Sequence, residues 1–264
     1  MPKPALDHPA PADLTDLDAC VVIAEEAGRL TLESYREANL SVEHKLDGSP
    51  VTSADLAAET LMRERLSAAF PDDSVLGEEQ PDTSGTSGRT WVIDPIDGTK
   101  AFTRGVPLFS SLLALVDEHG PAVGVIHLPV LGETVCAGRG HGAFFNGEPC
   151  RVNDHEGLTG AYVCTSGFGY WPDAALSALL ESPVRLRTWG DAYGYALVAT
   201  GRAEAMIDPE AFPWDLAPIA VIISEAGGTF STLDGRTGPE VWRSGSAVAT
   251  NSRIGQELRA VLDR

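Results

Sequence analysis

At 264 residues, 43% apolar and 22% charged, the chain has the balance of a soluble globular protein forming one large domain or two lobes that share a core. Its 38 acidic and 19 basic residues leave a net charge of −19, which argues against non-specific nucleic-acid binding, since that needs basic surface. No apolar run approaches the ~20 residues that span a bilayer, and residues 1–13 are Pro-rich and acidic without a signal peptide's basic-then-apolar pattern; a short disordered lead-in, a cytoplasmic setting and no membrane partner are expected.

Residues 14–35 carry apolar side chains at helical spacing (Leu14, Leu17, Val21, Ala24) with acids on the other face, which predicts a helix. A short strand over 41–45 and a turn over 46–50 follow. Thr52 or Ser53 is the expected N-cap of a second helix ending near Phe70, with Asp55 in its first turn. Residues 74–77 predict a short buried strand, and 81–89, rich in Ser, Thr and Gly, a mobile loop. Residues 90–93 predict another strand. Segments 106–116, 123–128 and 133–137 predict a strand meander, and Phe144-Phe-Asn-Gly147 a hairpin with an Asn-Gly turn.

From about residue 159 strands and helices alternate. Strands are expected at 162–166, 184–188, 205–207, 229–231 and 247–250, with helices at 173–180, 192–200, 216–225 and 253–262. The pattern gives an α+β lobe over about 14–154 and an α/β lobe over about 155–264, without internal repeat. Cys20, Cys136, Cys150 and Cys164 show no metal spacing and read as free, mostly buried thiols.

Two acidic stretches stand out, Trp91-Val-Ile-Asp-Pro-Ile-Asp-Gly-Thr99 and Trp214-Asp-Leu-Ala-Pro218, with Gly77-Glu-Glu-Gln80 upstream. A carboxylate beside apolar residues is costly to desolvate unless it is paired, hydrogen-bonded or metal-bound. Asp94 and Asp97, with Pro95 fixing the backbone between them, can be aimed together with the Ile96 carbonyl at neighbouring cations, and oxygen-only ligands favour Mg²⁺, Mn²⁺ or Ca²⁺ over zinc. The N–H groups of Gly98 and Thr99, at a helix start, suit a phosphate. Each piece also has a plain reading: an Asx-turn for Asp97-Gly-Thr, solvated charge for Glu78 and Glu79, helix-start acids for Asp55 and Asp215. Their combination in one chain points to a hard-cation site acting on phosphate, where divalent ions also answer the repulsion of an anionic substrate by an acidic protein.

Taken in order, Ser74-Val-Leu-Gly-Glu-Glu79, Trp91 to Thr99, and Trp214-Asp-Leu-Ala-Pro-Ile219 with Glu225-Ala-Gly-Gly228 strongly resemble the inositol-monophosphatase superfamily. The resemblance covers the chain after about Leu14. It implies a single phosphatase domain over 14–264 with the layered α-β-α-β-α sandwich of the inositol monophosphatase/fructose-1,6-bisphosphatase type. It also implies Mg²⁺-dependent, Li⁺-sensitive phosphomonoester hydrolysis without a covalent phosphoenzyme, with two or three Mg²⁺ per site (Mn²⁺ as substitute), in a homodimer. On the same ground Glu78, Asp94 and the Ile96 carbonyl would hold one metal, and Asp94, Asp97 and Asp215 a second. Glu79 would reach a third, Thr99 and Asp55 would activate the attacking water, and the Gly98 and Thr99 amides would hold the phosphate.

Lys45 to Asp55, Gly98 to Pro107, Arg187-Thr-Trp-Gly-Asp-Ala-Tyr-Gly194 and Gly245 to Asn251 resemble the histidinol-phosphate phosphatase branch, as found in actinobacteria. Histidinol phosphate carries an ammonium and an imidazole, so carboxylates in the alcohol pocket suit it, and the resemblance offers Asp191 and Asp208, with Arg187 near the phosphate or an adjacent acid. Asp191 as a helix cap and Asp208 as an arginine partner are the plain alternatives. Ala101 replaces the Asn of many relatives, removing one polar contact. An inositol or sugar phosphate phosphatase is the second reading, and a non-catalytic metal binder on the same fold a third.

Overall fold

The computed structural model describes residues 9–36, 42–44 and 50–263. The expected turn over 46–50 falls, except for Pro50, outside them. So do residues 1–8 of the lead-in.

In chain order the first half contains α1 (Leu14–Ser34), β1 (Val42–His44), β2 (Pro50–Thr52), α2 (Ser53–Ala69), β3 (Ser74–Gly77), β4 (Thr90–Asp97), α3 (Thr99–Thr103), β5 (Ser110–Asp117), β6 (Gly120–Leu128), β7 (Glu133–Gly138), β8 (Gly142–Phe145) and β9 (Glu148–Cys150). The second contains β10 (Tyr162–Cys164), α4 (Asp173–Glu181), β11 (Arg185–Arg187), α5 (Asp191–Ala199), β12 (Ala205–Asp208), α6 (Pro213–Glu225), β13 (Thr229–Ser231), β14 (Ala247–Thr250) and α7 (Gly255–Leu262).

β3 to β9 form one seven-stranded sheet in sequence order; β3 and β4 are parallel and the rest form an antiparallel meander. Asn146 and Gly147 both take positive φ, 49° and 83°, as a two-residue hairpin turn between β8 and β9 requires. The second sheet has the order β11-β10-β12-β14-β13. β11, β10 and β12 are parallel, and β14 runs antiparallel to both its neighbours.

Strand alternation sorts the core into layers. On β4, Trp91 and Ile93 pack with Leu17, Ala24 and Met62 of α1 and α2, whereas Val92 packs with Leu216 and Ile219 of α6. On β12, Met206 joins the same middle layer, and Ala205 and Ile207 turn to Leu179 of α4 and Leu258 of α7. Both sheets are therefore covered on both faces. The result is the five-layer α-β-α-β-α sandwich, with α5 and α6 shared between the two sheets.

Several expectations shift. Residues 81–89 are not a loose loop: Thr83 and Val75 exchange backbone hydrogen bonds, and the Gly85 N–H donates to Ser74 Oγ. The Arg89 guanidinium grips Asp16 of α1 and Asp73, so the segment is fastened at both ends. Residues 9–13 of the lead-in are also anchored, with Arg139 donating to the Ala10 carbonyl and the Ala12 N–H to the Arg139 carbonyl. β5 starts at Ser110 rather than Val106, and β4 runs on to Asp97. The cysteines are free thiols, Cys20 and Cys164 buried and the other two half-buried. Among the described residues no helix is long and apolar enough to cross a membrane.

Candidate active site

The site grows from an irregularity in β4. Asp94 faces Leu112 of β5 but Asp97 faces Ser110, so three residues of one strand oppose two of the other and the register slips by one. In a regular strand, residues three apart point to opposite faces; a one-residue bulge returns the second to the face of the first. Asp94 and Asp97 thereby share a side. Ser111 Oγ donates to the Pro95 carbonyl at 2.8 Å, and the Ile96 N–H to Asp94 Oδ1 at 3.0 Å, which holds the bulge.

Asp215 arrives from the first turn of α6. Pro213 presets the φ of that turn, and the Phe212 N–H donates to Asp215 Oδ2 at 2.7 Å. One oxygen each from Asp94, Asp97 and Asp215 lies within 4.8 Å of the others. Burial pushes the Asp94 carboxyl well up, followed by the charges of Glu78, Asp97 and Asp215. Burial, then Asp191 and Asp215, does the same for Asp97, and burial raises Asp215 to about 8. Among the described residues no basic side chain pairs with these three carboxylates. Buried like charges converging in this way are unfavourable alone and suit a hard divalent cation, which the all-oxygen donor set fits.

Around this cluster lies a cavity of about 590 Å³ whose wall includes Glu78, Ile96, Gly98, Thr99, Asp191 and Asp208. Asp55, buried at the third position of α2, divides its oxygens: Oδ2 accepts from the Thr52 N–H and hydroxyl as a capping box, while Oδ1 faces Thr99 Oγ1 at 3.5 Å. The Thr99 hydroxyl lies 3.0 Å from the Ile96 carbonyl as well. Burial raises the Asp55 carboxyl, against the lowering pull of Thr52. Its cap role and its approach to Thr99 thus coexist.

Gly98 takes φ of 83°, and a β-carbon there would sit 3.0 Å from Asp191 Oδ2, so glycine both permits the turn and lets Asp191 close in. Asp191 itself has a positive φ of 54°, and burial pushes its carboxyl to about 6. Asp208 is not paired to an arginine: its Oδ1 accepts from the Ser166 N–H and hydroxyl and its Oδ2 from the Tyr195 hydroxyl at 2.9 Å. Two expected residues stand apart. Glu79 does not line the cavity; its N–H donates to Glu59 Oε2 at 2.8 Å. Arg187, on the exposed edge strand β11, lies over the rings of Tyr162 and Trp189 and likewise does not line it.

Glu59 is the main residue that sequence reasoning missed. It is fully buried, accepts from Arg63 Nε at 2.8 Å, and holds the N–H groups of both Glu79 and Gln80, fixing the turn that presents Glu78. A signal existed, because Glu59 falls on the buried α2 stripe of Ala58, Met62 and Leu66. Ser110 was legible in the same way, as one of two serines opening an otherwise apolar strand. Its hydroxyl donates to Asp97 Oδ2 at 3.0 Å.

Fold and site together define a layered α/β protein with an acid-lined, cation-type centre at a strand's carboxyl end. The Inositol monophosphatase family pattern matches residues 13–263. A histidinol-phosphatase of Chlorobaculum parvum is 40% identical over 251 residues, 94% of this chain and 96% of that protein. A histidinol-phosphatase of Streptomyces coelicolor is 40% identical over 267 residues, 96% and 99% of the two chains. The structure of extragenic suppressor protein suhB from Bartonella henselae superposes with a TM-score of 0.88 at 31% identity, covering 95% of this chain and 99% of that one. The chain belongs to the inositol monophosphatase family.

Proposed function

We propose that this protein is a divalent-metal-dependent phosphomonoesterase whose substrate is histidinol phosphate. The observation that carries the hydrolytic part is the convergence of Asp94, Asp97 and Asp215 within 4.8 Å beside the Thr99–Asp55 pair. The substrate rests on the two histidinol-phosphatases at 40% identity and on the acids of the pocket.

Asp94, Asp97, Asp215 and Glu78, with the Ile96 carbonyl, are the proposed holders of Mg²⁺ or Mn²⁺. Bound there, such ions neutralise phosphoryl charge and lower the pKa of a coordinated water. The chain's own groups do the rest. Thr99 Oγ1 orients the attacking water, accepts its proton and passes its own to Asp55 Oδ1, which Thr52 leaves available by engaging only Oδ2. The raised Asp55 carboxyl is suited to taking that proton. The Gly98 and Thr99 N–H groups face the transferring phosphoryl oxygens. Asp191 and Asp208 line the space left for the alcohol.

Phosphate release from histidinol phosphate, inositol 1-phosphate and glycerol 2-phosphate, with Mg²⁺ and with chelator, tests the reading. Histidinol phosphate is expected to lead by about a hundredfold in kcat/KM, a difference of about 2.7 kcal/mol. A lead for inositol 1-phosphate would transfer the assignment to an inositol phosphatase. Turnover undiminished by chelation would remove the metal. Thr99→Ala is expected to lower kcat by about a hundredfold or more.

A further inference from the structure

We propose that Phe212 and Trp214 form an aromatic platform that, with Glu210 beside it, recognises a protonated nitrogen heterocycle on the alcohol part of the substrate. The inference rests on the phosphatase reading above and goes beyond it by naming what sets the preference among esters.

Phe212 is 45% exposed, so its ring is open to an occupant of the cavity. It lies flat on Trp214, with ring centroids 5.2 Å apart and planes 12° from parallel. Both rings line the cavity that holds the carboxylate cluster, as does Glu210. The platform is not free to drift, because the Phe212 N–H is bonded to Asp215 Oδ2 and Pro213 fixes the backbone between the rings. An occupant held at the cluster by its phosphate therefore meets these rings at a set distance from the reacting end.

The chemistry of the wall selects the occupant. A π face attracts a cation over its centre, and a flanking carboxylate adds to that attraction. A neutral polyol gains little from either; it needs a set of fixed donors and acceptors. Among the described residues lining the cavity, Lys100 is the one basic side chain, and its Nζ is engaged by Tyr170, 3.4 Å from the hydroxyl and 5.6 Å from the ring centre. That single ammonium keeps its charge but is outnumbered by the wall's carboxylates, Asp191, Asp208 and Glu210 among them. The wall is on balance negative and aromatic, which fits an imidazolium, partly protonated near neutral pH with a pKa of about 6.5.

The test compares histidinol phosphate with glycerol 2-phosphate in the full-length, Mg²⁺-loaded protein, alongside calorimetric binding of free histidinol. Phe212→Leu keeps apolar bulk and removes the π face. It is expected to cut the preference for histidinol phosphate about tenfold, through KM rather than kcat, and to weaken histidinol binding by a similar factor. Phe212→Tyr is expected to restore both, and Glu210→Gln to reduce the preference in the same direction. A preference within twofold of the parent in Phe212→Leu, or a loss shared equally by both esters, overturns the platform. So does a parent enzyme that handles the two esters alike, which leaves the phosphatase reading standing. Hydrolysis of neither ester removes that reading and this inference together.

Discussion

The Ala192 N–H donates to Asp97 Oδ2 at 2.7 Å, so the first turn of α5 begins on a carboxylate from the end of β4 in the other sheet. Ser110 Oγ donates to the same oxygen, and neither bond occupies Oδ1. Asp97→Asn can keep its oxygen toward Ala192 and Ser110 only by presenting an NH₂ to the cation. Calorimetric Mn²⁺ titration is expected to show affinity reduced at least tenfold in a protein that still folds. Unchanged Mn²⁺ affinity would show that Asp97 only caps the helix.

Stability without metal carries a definite pH slope. Burial raises the Asp191 and Asp215 carboxyls to about 6 and about 8 from an ordinary 3.8. Each holds its proton more tightly folded than unfolded, so their contribution favours the folded state most on the acid side and declines as pH rises through both values. Tm of the metal-free protein is expected to fall between about pH 5 and about pH 8.5, and saturating Mg²⁺ to remove most of that fall. Metal binding near neutral pH is expected to release protons, seen as a calorimetric heat that depends on the buffer's ionisation enthalpy. A buffer-independent heat contradicts the assignment.

Glu59 supports the Glu78 turn from beneath. Glu59→Ala would strand a mostly buried Arg63 and two backbone N–H groups, at a cost of about 3 kcal/mol in urea unfolding. Glu59→Gln, which keeps an acceptor, is expected to fold with a smaller loss yet to need more Mg²⁺ for half-maximal activity. Equal Mg²⁺ dependence in Glu59→Gln and the parent would restrict Glu59 to a structural part.

Gly98 and Asp191 are expected to behave as a pair. Gly98→Ala meets both a positive φ and the Asp191 carboxylate, and is expected to cost about 1–2 kcal/mol. Removing the obstacle with Asp191→Ala should return part of that loss, so a double-mutant cycle is expected to deviate from additivity by about 0.5 kcal/mol or more. Strict additivity would mean the close approach carries no energy.

Much of the fold was legible because periodicity reports burial, and here each sheet is buried on both faces. β4, β5 and β6 read as near-continuous apolar runs, and α1 and α2 as one-sided stripes. The acids of the cluster were legible as polar intrusions into those runs. The bulge at Pro95 and Ile96 was not, because register is settled by the partner strand. Residues 81–89 have the composition of a loose loop, yet Arg89 reaches Asp16, 73 positions away, a contact no local pattern encodes. The surroundings of Arg187 were not legible either: its neighbours fit a motif, but only the edge position of β11 reveals that it lies over Tyr162 and Trp189.

The sharing of α5 and α6 between the two sheets has a mechanical corollary. Neither half of the chain can part from the other without stripping the cover from both, so cleavage anywhere between 150 and 162 should leave two fragments that stay associated under native conditions. Global opening is then a single event. Amides of β4 and β12, on opposite sides of that shared layer, are expected to exchange with solvent deuterium at a common, slowest rate.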